Sequence, residues 1–235
     1  MCGRYSLALR KEDLAVALGI AATEVPGELR PRYNIAPGQA APVLLAVPDG
    51  RRLLHARWGI PKMRSAPSGS PLLINIRAES VLEGRPIGRW LMPRRCAVPA
   101  SGFYEWGGRG TARRPHYFCR ADGRPMVFAG FWTTVAPEDE IAYVIATTRP
   151  NEIVAPIHDR MPVILADDRV AEWVDSAGPL PDRTGKWAEP FPSDLMLSWP
   201  VSRRVNDVRN DDIGCTAPLP PATGASCGDL FETQS

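Results

Sequence analysis

Apolar and polar residues alternate over many short stretches of the chain, which is the pattern of β-strands with one buried face. Turn-forming residues separate the stretches, and Asp122-Gly123 between two of them is a strong hairpin signal. The predicted strands are residues 3–9, 42–47, 52–58, 72–77, 94–99, 116–121, 126–134, 141–148, 162–166 and 199–205. Strands therefore dominate the predicted structure.

Helical spacing is confined to a few short segments. Residues 10–18 place Leu14 and Leu18 on one face, and Gly19 follows as a C-terminal stop. Residues 167–176 form a second predicted helix, with Asp167 as its cap. Residues 78–83 are expected to form one further helical turn. The chain is therefore predicted to be an α+β domain with few helices.

Length and composition fit that class. The chain has 235 residues, enough for one sizeable domain. Its 25 prolines favour turns and extended segments over a helical bundle. The sequence becomes rich in Pro, Ala and Gly near its end, so we expect a domain over residues 1–211 and a flexible tail over residues 212–235.

Charge and cysteine content narrow the function classes. The net charge is only +2, so nucleic-acid affinity would need a local patch of basic residues. Of the 28 basic residues in the chain, 25 are Arg. The five cysteines form no CxxC pair, which argues against structural zinc and a disulfide framework. The sequence has neither a signal-peptide core nor an apolar run of about 18 residues, so we expect a cytoplasmic protein without a membrane partner.

The first residues carry the most distinctive chemistry. Removal of Met1, which a small second residue permits, makes Cys2 the N-terminus, with an amine and a thiol on adjacent carbons. An amine condenses with an aldehyde to an imine, and the tethered thiol then closes a thiazolidine ring, an intramolecular step favoured by roughly 7–11 kcal/mol when well oriented. Without further support, however, the simpler interpretation of Cys2 is a small buried residue near a frayed end.

Three other segments hold candidate polar groups. Asn75 and Arg77 share one face of a predicted strand, whose other face is apolar. Glu105 lies among aromatic residues, where it is either an exposed edge charge or a desolvated carboxyl suited to proton transfer. His158 lies in a short loop before Arg160 and is a candidate acid or base only in such company.

Nine segments occur together in one order. They are Met1-Cys2-Gly3-Arg4-Tyr5, Arg32-Tyr33-Asn34-Ile35-Ala36-Pro37, Trp58-Gly59-Ile60-Pro61, Asn75-Ile76-Arg77-Ala78-Glu79, residues 94–106, Ala129-Gly130-Phe131-Trp132, Ala146-Thr147-Thr148, Ile157-His158-Asp159-Arg160-Met161-Pro162 and residues 201–206. Each is weak alone, but the ordered set over residues 1–211 resembles the SOS response-associated peptidase family, whose members process abasic sites and crosslink themselves to DNA.

The resemblance implies a fold and a set of roles. The expected fold is a mostly antiparallel, barrel-like β core with a few short peripheral helices and a basic groove. The implied catalytic residues are Cys2 as nucleophile, Asn75 holding the terminus and the opened sugar, Glu105 assisting ring opening and His158 as second acid or base. The implied DNA-binding residues are Arg4, Arg77 and Arg160 at phosphates, Pro37 and Trp58 at bases, and Thr148.

The expected function is therefore an abasic-site sensor, without metal or other cofactor, acting as a monomer on single-stranded DNA. A thiol autopeptidase using Cys2, His158 and Glu105 and a non-catalytic reader of modified bases remain alternatives. A metal hydrolase is disfavoured, since three histidines show no ligand motif.

Overall fold

The computed structural model describes residues 2–26, 29–61, 71–135, 140–175 and 185–220. Their helices are α1 (Lys11–Leu18), α2 (Ala78–Leu82), α3 (Pro86–Leu91) and α4 (Val170–Asp175). Their strands are β1 (Arg4–Leu7), β2 (Arg32–Ile35), β3 (Ala40–Val47), β4 (Gly50–Trp58), β5 (Ile60–Pro61), β6 (Leu72–Leu73), β7 (Asn75–Arg77), β8 (Arg95–Ala100), β9 (Gly102–Gly107), β10 (Arg114–Arg120), β11 (Met126–Val135), β12 (Glu140–Thr148), β13 (Met161–Pro162) and β14 (Met196–Pro200).

Five strands close into a barrel. The order β11-β8-β3-β4-β12 returns to β11, because β12 pairs with both β4 and β11. Within this ring the β4–β12 pair is parallel and the other pairs are antiparallel. Closure removes the exposed strand edges that an open sheet would present. The predicted α+β class, with a mostly antiparallel barrel-like core and few short helices, is confirmed.

A second, antiparallel sheet carries the N-terminal strand against the barrel. Its order is β14-β10-β9-β1-β2, so β1 lies between two partners. Tyr5 and Phe103 from this sheet both make edge-to-face contacts with Phe128 of the barrel, at centroid distances of 6.0 and 6.2 Å. The Tyr5 hydroxyl also meets the Tyr143 hydroxyl at 2.7 Å inside the core. These buried aromatic contacts hold β1, and therefore the residues before it, in a fixed position.

The helix predictions hold in outline. The helix predicted over residues 10–18 is α1, which Arg10 precedes as N-cap and Gly19 ends in the left-handed region at φ +63°. The helix predicted from Asp167 begins instead with a 3-10 turn over Asp167–Arg169, and the α-helix starts at Val170. Helix α3 was not predicted.

Three strand predictions are wrong in their extent. The single strand placed over residues 72–77 is divided into β6, which pairs with β5, and β7, which pairs with β12. The strand placed over residues 199–205 ends at Pro200, because the Ser202 hydroxyl accepts a hydrogen bond from Arg204 N and starts a 3-10 turn there. The strand placed over residues 162–166 is limited to β13, because the chain then passes from one partner strand to another: Val163 N donates to Ala146 O of β12, whereas Leu165 N donates to Val127 O of β11.

The described chain continues to pack beyond residue 211. Cys215 is fully buried, Val201 bridges to Pro218, and Leu219 N donates to Pro200 O at 3.0 Å. Residues up to 220 thus belong structurally with the domain, and the rest of the predicted tail, residues 221–235, lies outside the described residues. No helix in the described part of the chain is long and apolar enough to cross a membrane.

Candidate active site

The N-terminal cysteine lies beside the end of β9. The β1–β9 pairing sets Arg4 opposite Tyr104, and the same register brings the residues before Arg4 alongside Glu105. Cys2 is fully buried, and Asn75 Nδ2 donates a hydrogen bond to its carbonyl oxygen at 2.8 Å. The thiol donates weakly to Arg4 O at 3.8 Å. The residue is therefore a fixed part of the fold rather than a frayed end.

Asn75 reaches this position from the barrel. It is the first residue of β7, which pairs in parallel with β12 opposite Ile145. Its side chain is buried, and its Oδ1 has no hydrogen-bond partner among the described residues. A buried carbonyl oxygen without a donor costs about 1–3 kcal/mol, so this acceptor is suited to a donor supplied by an incoming molecule.

Glu105 is a buried carboxyl of the second sheet. It lies in β9 between Tyr104 and Trp106 and is 1% exposed. Burial raises its pKa to about 7, because desolvation disfavours the charged form. The sequence left open whether Glu105 is an edge charge or a desolvated acid, and its burial decides for the second. A carboxyl with this pKa can both donate and accept a proton near neutral pH.

His158 approaches Glu105 from the loop between β12 and β13. Its Nε2 lies 3.9 Å from Glu105 Oε2. Its Nδ1 accepts a hydrogen bond from Arg160 N at 3.0 Å and lies 3.0 Å from Asp159 Oδ1. Burial lowers the pKa of His158 and thereby favours the neutral imidazole.

Its surroundings keep the Cys2 side chain in the protonated thiol form. Burial, followed by the nearby negative charge of Glu105, raises the pKa of the Cys2 thiol far above its ordinary value. Since the thiolate is the nucleophile, reaction at this sulfur needs a group that removes the proton as the bond forms. Glu105 is the group whose charge acts on this sulfur and whose pKa suits that task.

The three arginines assigned to phosphate differ in their surroundings. Arg77 ends β7 with an exposed side chain. Arg4 donates to Asn34 Oδ1 at 2.7 Å and to the carbonyl oxygens of Val205 and Asn206 at 2.5 and 3.0 Å. Arg4 thus ties β1 to a loop near the end of the domain. Phosphate binding by these residues stays a prediction.

Arg160 is engaged by a carboxylate. Its Nη1 and Nη2 meet the two carboxylate oxygens of Glu79 at 2.7 and 2.8 Å, and Nη2 also donates to Thr147 O. The Arg160 side chain is only 12% exposed. Its charge is therefore already balanced within the protein.

The residues assigned to bases are unequally accessible. Trp58 is fully buried, with its Nε1 donating to Ile74 O at 3.0 Å and its ring stacked on Tyr143. Thr148 is buried too, and its hydroxyl donates to Ala188 O at 2.5 Å. Pro37 is partly exposed next to Gly38, whose φ is +85°. Of these residues, only Pro37 presents a surface that a base could contact in this arrangement.

Sequence reasoning assigned no role to two residues that support the site. Asn34 donates from Nδ2 to the carbonyl oxygens of Val205, Asp207 and Asn210 at 3.1, 3.0 and 2.7 Å. Glu79 holds Arg160 as described above. Both lie within the segments quoted for the family resemblance, so their position was visible in the sequence while their partners, more than 80 residues away, were not.

Among the described residues, no group of three or more His, Cys, Asp or Glu side chains is arranged to hold a metal ion. A cysteine beside a carboxyl and an imidazole is a set of groups whose chemistry suits nucleophilic attack with proton transfer.

Known proteins resemble this chain over most of its length. The family model described as "SOS response associated peptidase (SRAP)" matches residues 1–208. The abasic site processing protein YoqW of Bacillus subtilis is 35% identical over 220 residues, covering 90% of this chain and 96% of that protein. The abasic site processing protein YedK of Escherichia coli is 29% identical, covering 93% of this chain and all of that protein.

Solved structures share the fold. A protein from Bacteroides thetaiotaomicron superposes with a TM-score of 0.77 at 20% identity, covering 93% of this chain and 100% of that chain. A phage-related protein from Bordetella bronchiseptica gives a TM-score of 0.69 at 28% identity, covering 86% of this chain and 95% of that chain. The chain belongs to the SOS response associated peptidase family.

Proposed function

We propose that this protein processes abasic sites by forming a covalent crosslink to single-stranded DNA through Cys2, once Met1 has been removed. The observation that carries the proposal is the placement of Cys2, with its carbonyl held by Asn75, beside the buried Glu105 and the half-buried His158. The relatives named abasic site processing proteins support the coarser part of this assignment, the processing of abasic sites.

The chemistry begins at the amine. An abasic deoxyribose opens to an aldehyde at C1′, and the Cys2 amine adds to it and expels water to give an imine. The hydroxyl that leaves as this water needs a proton, which Glu105 can donate because its pKa lies near 7. Asn75 Oδ1 is a suitable acceptor for the Cys2 amine or for a hydroxyl of the opened sugar.

The thiol completes the product. Cys2 Sγ adds to the imine carbon, the C=N bond becomes a single bond, and the thiol proton ends on the nitrogen, which gives a five-membered thiazolidine. Because burial holds the sulfur in its protonated form, a base must accept this proton on the way. Glu105, deprotonated by the preceding step, takes that role, and neutral His158 lies 3.9 Å from it as a second proton carrier.

A variant that lacks the Cys2 thiol should stop at the imine. This imine is expected to persist and to undergo slow β-elimination, a weak lyase activity.

Two alternative functions predict other results. A non-covalent reader of modified DNA would retain its function when Cys2 is replaced, and a peptidase would cleave peptides without DNA.

Binding of undamaged DNA is expected to be electrostatic. Arg77 is exposed at the end of β7, the same strand that presents Asn75, so it can contact a phosphate beside the lesion. Such contacts release counterions, and affinity should fall steeply with salt. Salt-insensitive binding would contradict this part of the proposal.

The test is intact mass spectrometry after incubation with a short single-stranded oligonucleotide that holds one abasic site. The wild-type protein, with Met1 confirmed absent, should give a one-to-one adduct that survives heating. Cys2→Ser should give none, but borohydride should trap its imine. Cys119→Ser is the matched control, because Cys119 lies in β10 as a half-buried free thiol outside the site. An undiminished heat-stable adduct with Cys2→Ser would refute the mechanism.

A further inference from the structure

We propose that Glu79 is a positioning residue of this site: by holding Arg160 it fixes the segment 158–160 so that the proton of neutral His158 resides on Nε2. The assignment of a reaction to His158 rests on the proposed function, whereas the assignment of the proton does not. Neither Glu79 nor the backbone of Arg160 contacts the reacting atoms.

Glu79 holds the Arg160 side chain through a two-point ion pair. Both carboxylate oxygens of Glu79, in α2, meet the two terminal nitrogens of Arg160, at 2.7 and 2.8 Å. Such a parallel arrangement fixes the orientation of the guanidinium as well as its distance. The contact of Arg160 Nη2 with Thr147 O, in β12, adds a third anchor. The side chain of Arg160 is therefore immobilised against two elements of the barrel region.

The backbone of Arg160 in turn orients the His158 ring. Arg160 N donates to His158 Nδ1 at 3.0 Å. A backbone N–H can only donate, so Nδ1 must act as an acceptor, and the single proton of a neutral imidazole then lies on Nε2. Nε2 is the nitrogen that faces Glu105 at 3.9 Å. The anchored residue 160 thus determines which ring nitrogen carries the proton toward the site.

Two acceptors near His158 favour the other tautomer, in which the proton lies on Nδ1. Asp159 Oδ1 lies 3.0 Å from Nδ1 and Arg160 O lies 3.3 Å from it, so both can accept a proton from Nδ1. Asp159 is 82% exposed, so water screens its charge. Release of Arg160 from Glu79 would leave these acceptors free to draw the proton to Nδ1.

The balance of charge at Arg160 supports positioning rather than phosphate binding. An arginine that already pairs both terminal nitrogens with a carboxylate has little charge to offer a phosphate, and any phosphate there would approach Glu79 as well.

The matching pair Arg51–Asp175, at 2.7 and 2.5 Å with similar exposure, lies away from the site and provides a control.

The first arm of the experiment measures the tautomer. Two-bond ¹H–¹⁵N correlation spectra of the full chain distinguish protonated from bare ring nitrogens, and His158→Gln assigns the signal among the three histidines. We expect Nδ1 of neutral His158 to be bare in the wild type and in Asp175→Asn, and Glu79→Gln to shift part of the population to Nδ1–H. A wild-type protein with its proton on Nδ1 overturns the proposal directly, without any variant.

The second arm measures crosslinking to an abasic oligonucleotide in single turnover. Glu79→Gln should lower the rate constant about tenfold, a fraction of the roughly 10²–10⁴ that general acid–base catalysis supplies, and should leave the Kd for DNA unchanged. Glu79→Asp, which retains the charge, should recover part of the rate and the wild-type tautomer, and Asp175→Asn should match the wild type.

Each further outcome is decisive. Weaker DNA binding by Glu79→Gln with an unchanged tautomer overturns the proposal in favour of a phosphate contact at Arg160. An unchanged tautomer with an unchanged rate overturns it as well. If the wild-type protein forms no crosslink, the proposed function fails, and the tautomer comparison still decides whether Glu79 positions His158.

Discussion

The buried carboxyl of Glu105 should make the stability of this protein fall with rising pH. In the unfolded chain a glutamate loses its proton near pH 4.5, whereas burial raises the pKa of Glu105 in the folded protein to about 7. Between these values the folded state binds more protons than the unfolded state. The stabilising contribution is therefore fully present below pH 4.5 and is lost as the pH rises through 7.

The magnitude follows from the two pKa values. Their difference of about 2.5 units, at 1.36 kcal/mol per unit, predicts that this one group lowers the free energy of unfolding by about 3 kcal/mol between pH 4 and pH 8. Glu105 is 1% exposed, so solvent screening does not reduce the figure greatly. Replacing it with Gln removes the titration while keeping the shape of the side chain.

Urea unfolding at several pH values tests the reasoning. The stability of Glu105→Gln relative to the wild type should increase by about 3 kcal/mol from pH 4 to pH 8. Glu12→Gln, an exposed position in α1, corrects for the general effect of removing a carboxylate. A difference between Glu105→Gln and wild type that stays constant over this range would show that the carboxyl titrates normally, and the proton-transfer role argued from it would fall.

Four other substitutions test separate contacts. Asn75→Ala should slow crosslinking and destabilise the fold by about 1 kcal/mol, since it removes the bond to Cys2 O; an unchanged rate would separate Asn75 from the reaction. Trp58→Ala should cost about 3–5 kcal/mol in urea unfolding, because the ring is core, and a small cost would contradict its burial. Gly102→Ala should lower the Tm, as a Cβ there meets Phe118 O and the Tyr117 ring. Arg77→Ala should reduce the slope of log K against log salt by about 1, and an unchanged slope would exclude a phosphate contact.

The β-rich class of the fold was predictable because alternation of apolar residues has a direct physical meaning in a strand. Strand β12, predicted over 141–148 and observed over Glu140–Thr148, illustrates this. Closure of the barrel depends on pairings between distant strands, such as β4 with β12, that no local pattern encodes. The error at Ser202 has the opposite origin, because a single side-chain hydrogen bond outweighed a run of strand-forming residues.

The candidate site was predictable as a set of residue types rather than as a geometry. Glu105 among aromatic residues indicated a desolvated acid, and burial of the carboxyl agrees with it. The exposure of Trp58 could not be judged from its sequence neighbourhood, since the stacking partner that buries it, Tyr143, comes from another strand. Ion pairs also cannot be predicted from local sequence: no residue near Arg160 in the sequence indicates that Glu79, 81 residues earlier, pairs with it.

The tether between Arg4 and the carbonyl oxygen of Val205 joins positions 201 residues apart. Protein synthesis proceeds from the N-terminus, so Cys2 leaves the ribosome long before the loop that secures its strand exists. A nascent chain therefore carries the cysteine without its supporting loop, and a premature stop before residue 205 would leave that state permanent. Synthesis through residues 205 and 206 is in this way a condition for securing the strand that follows Cys2, and a truncation before them would act on the chemistry of the N-terminal end of the chain.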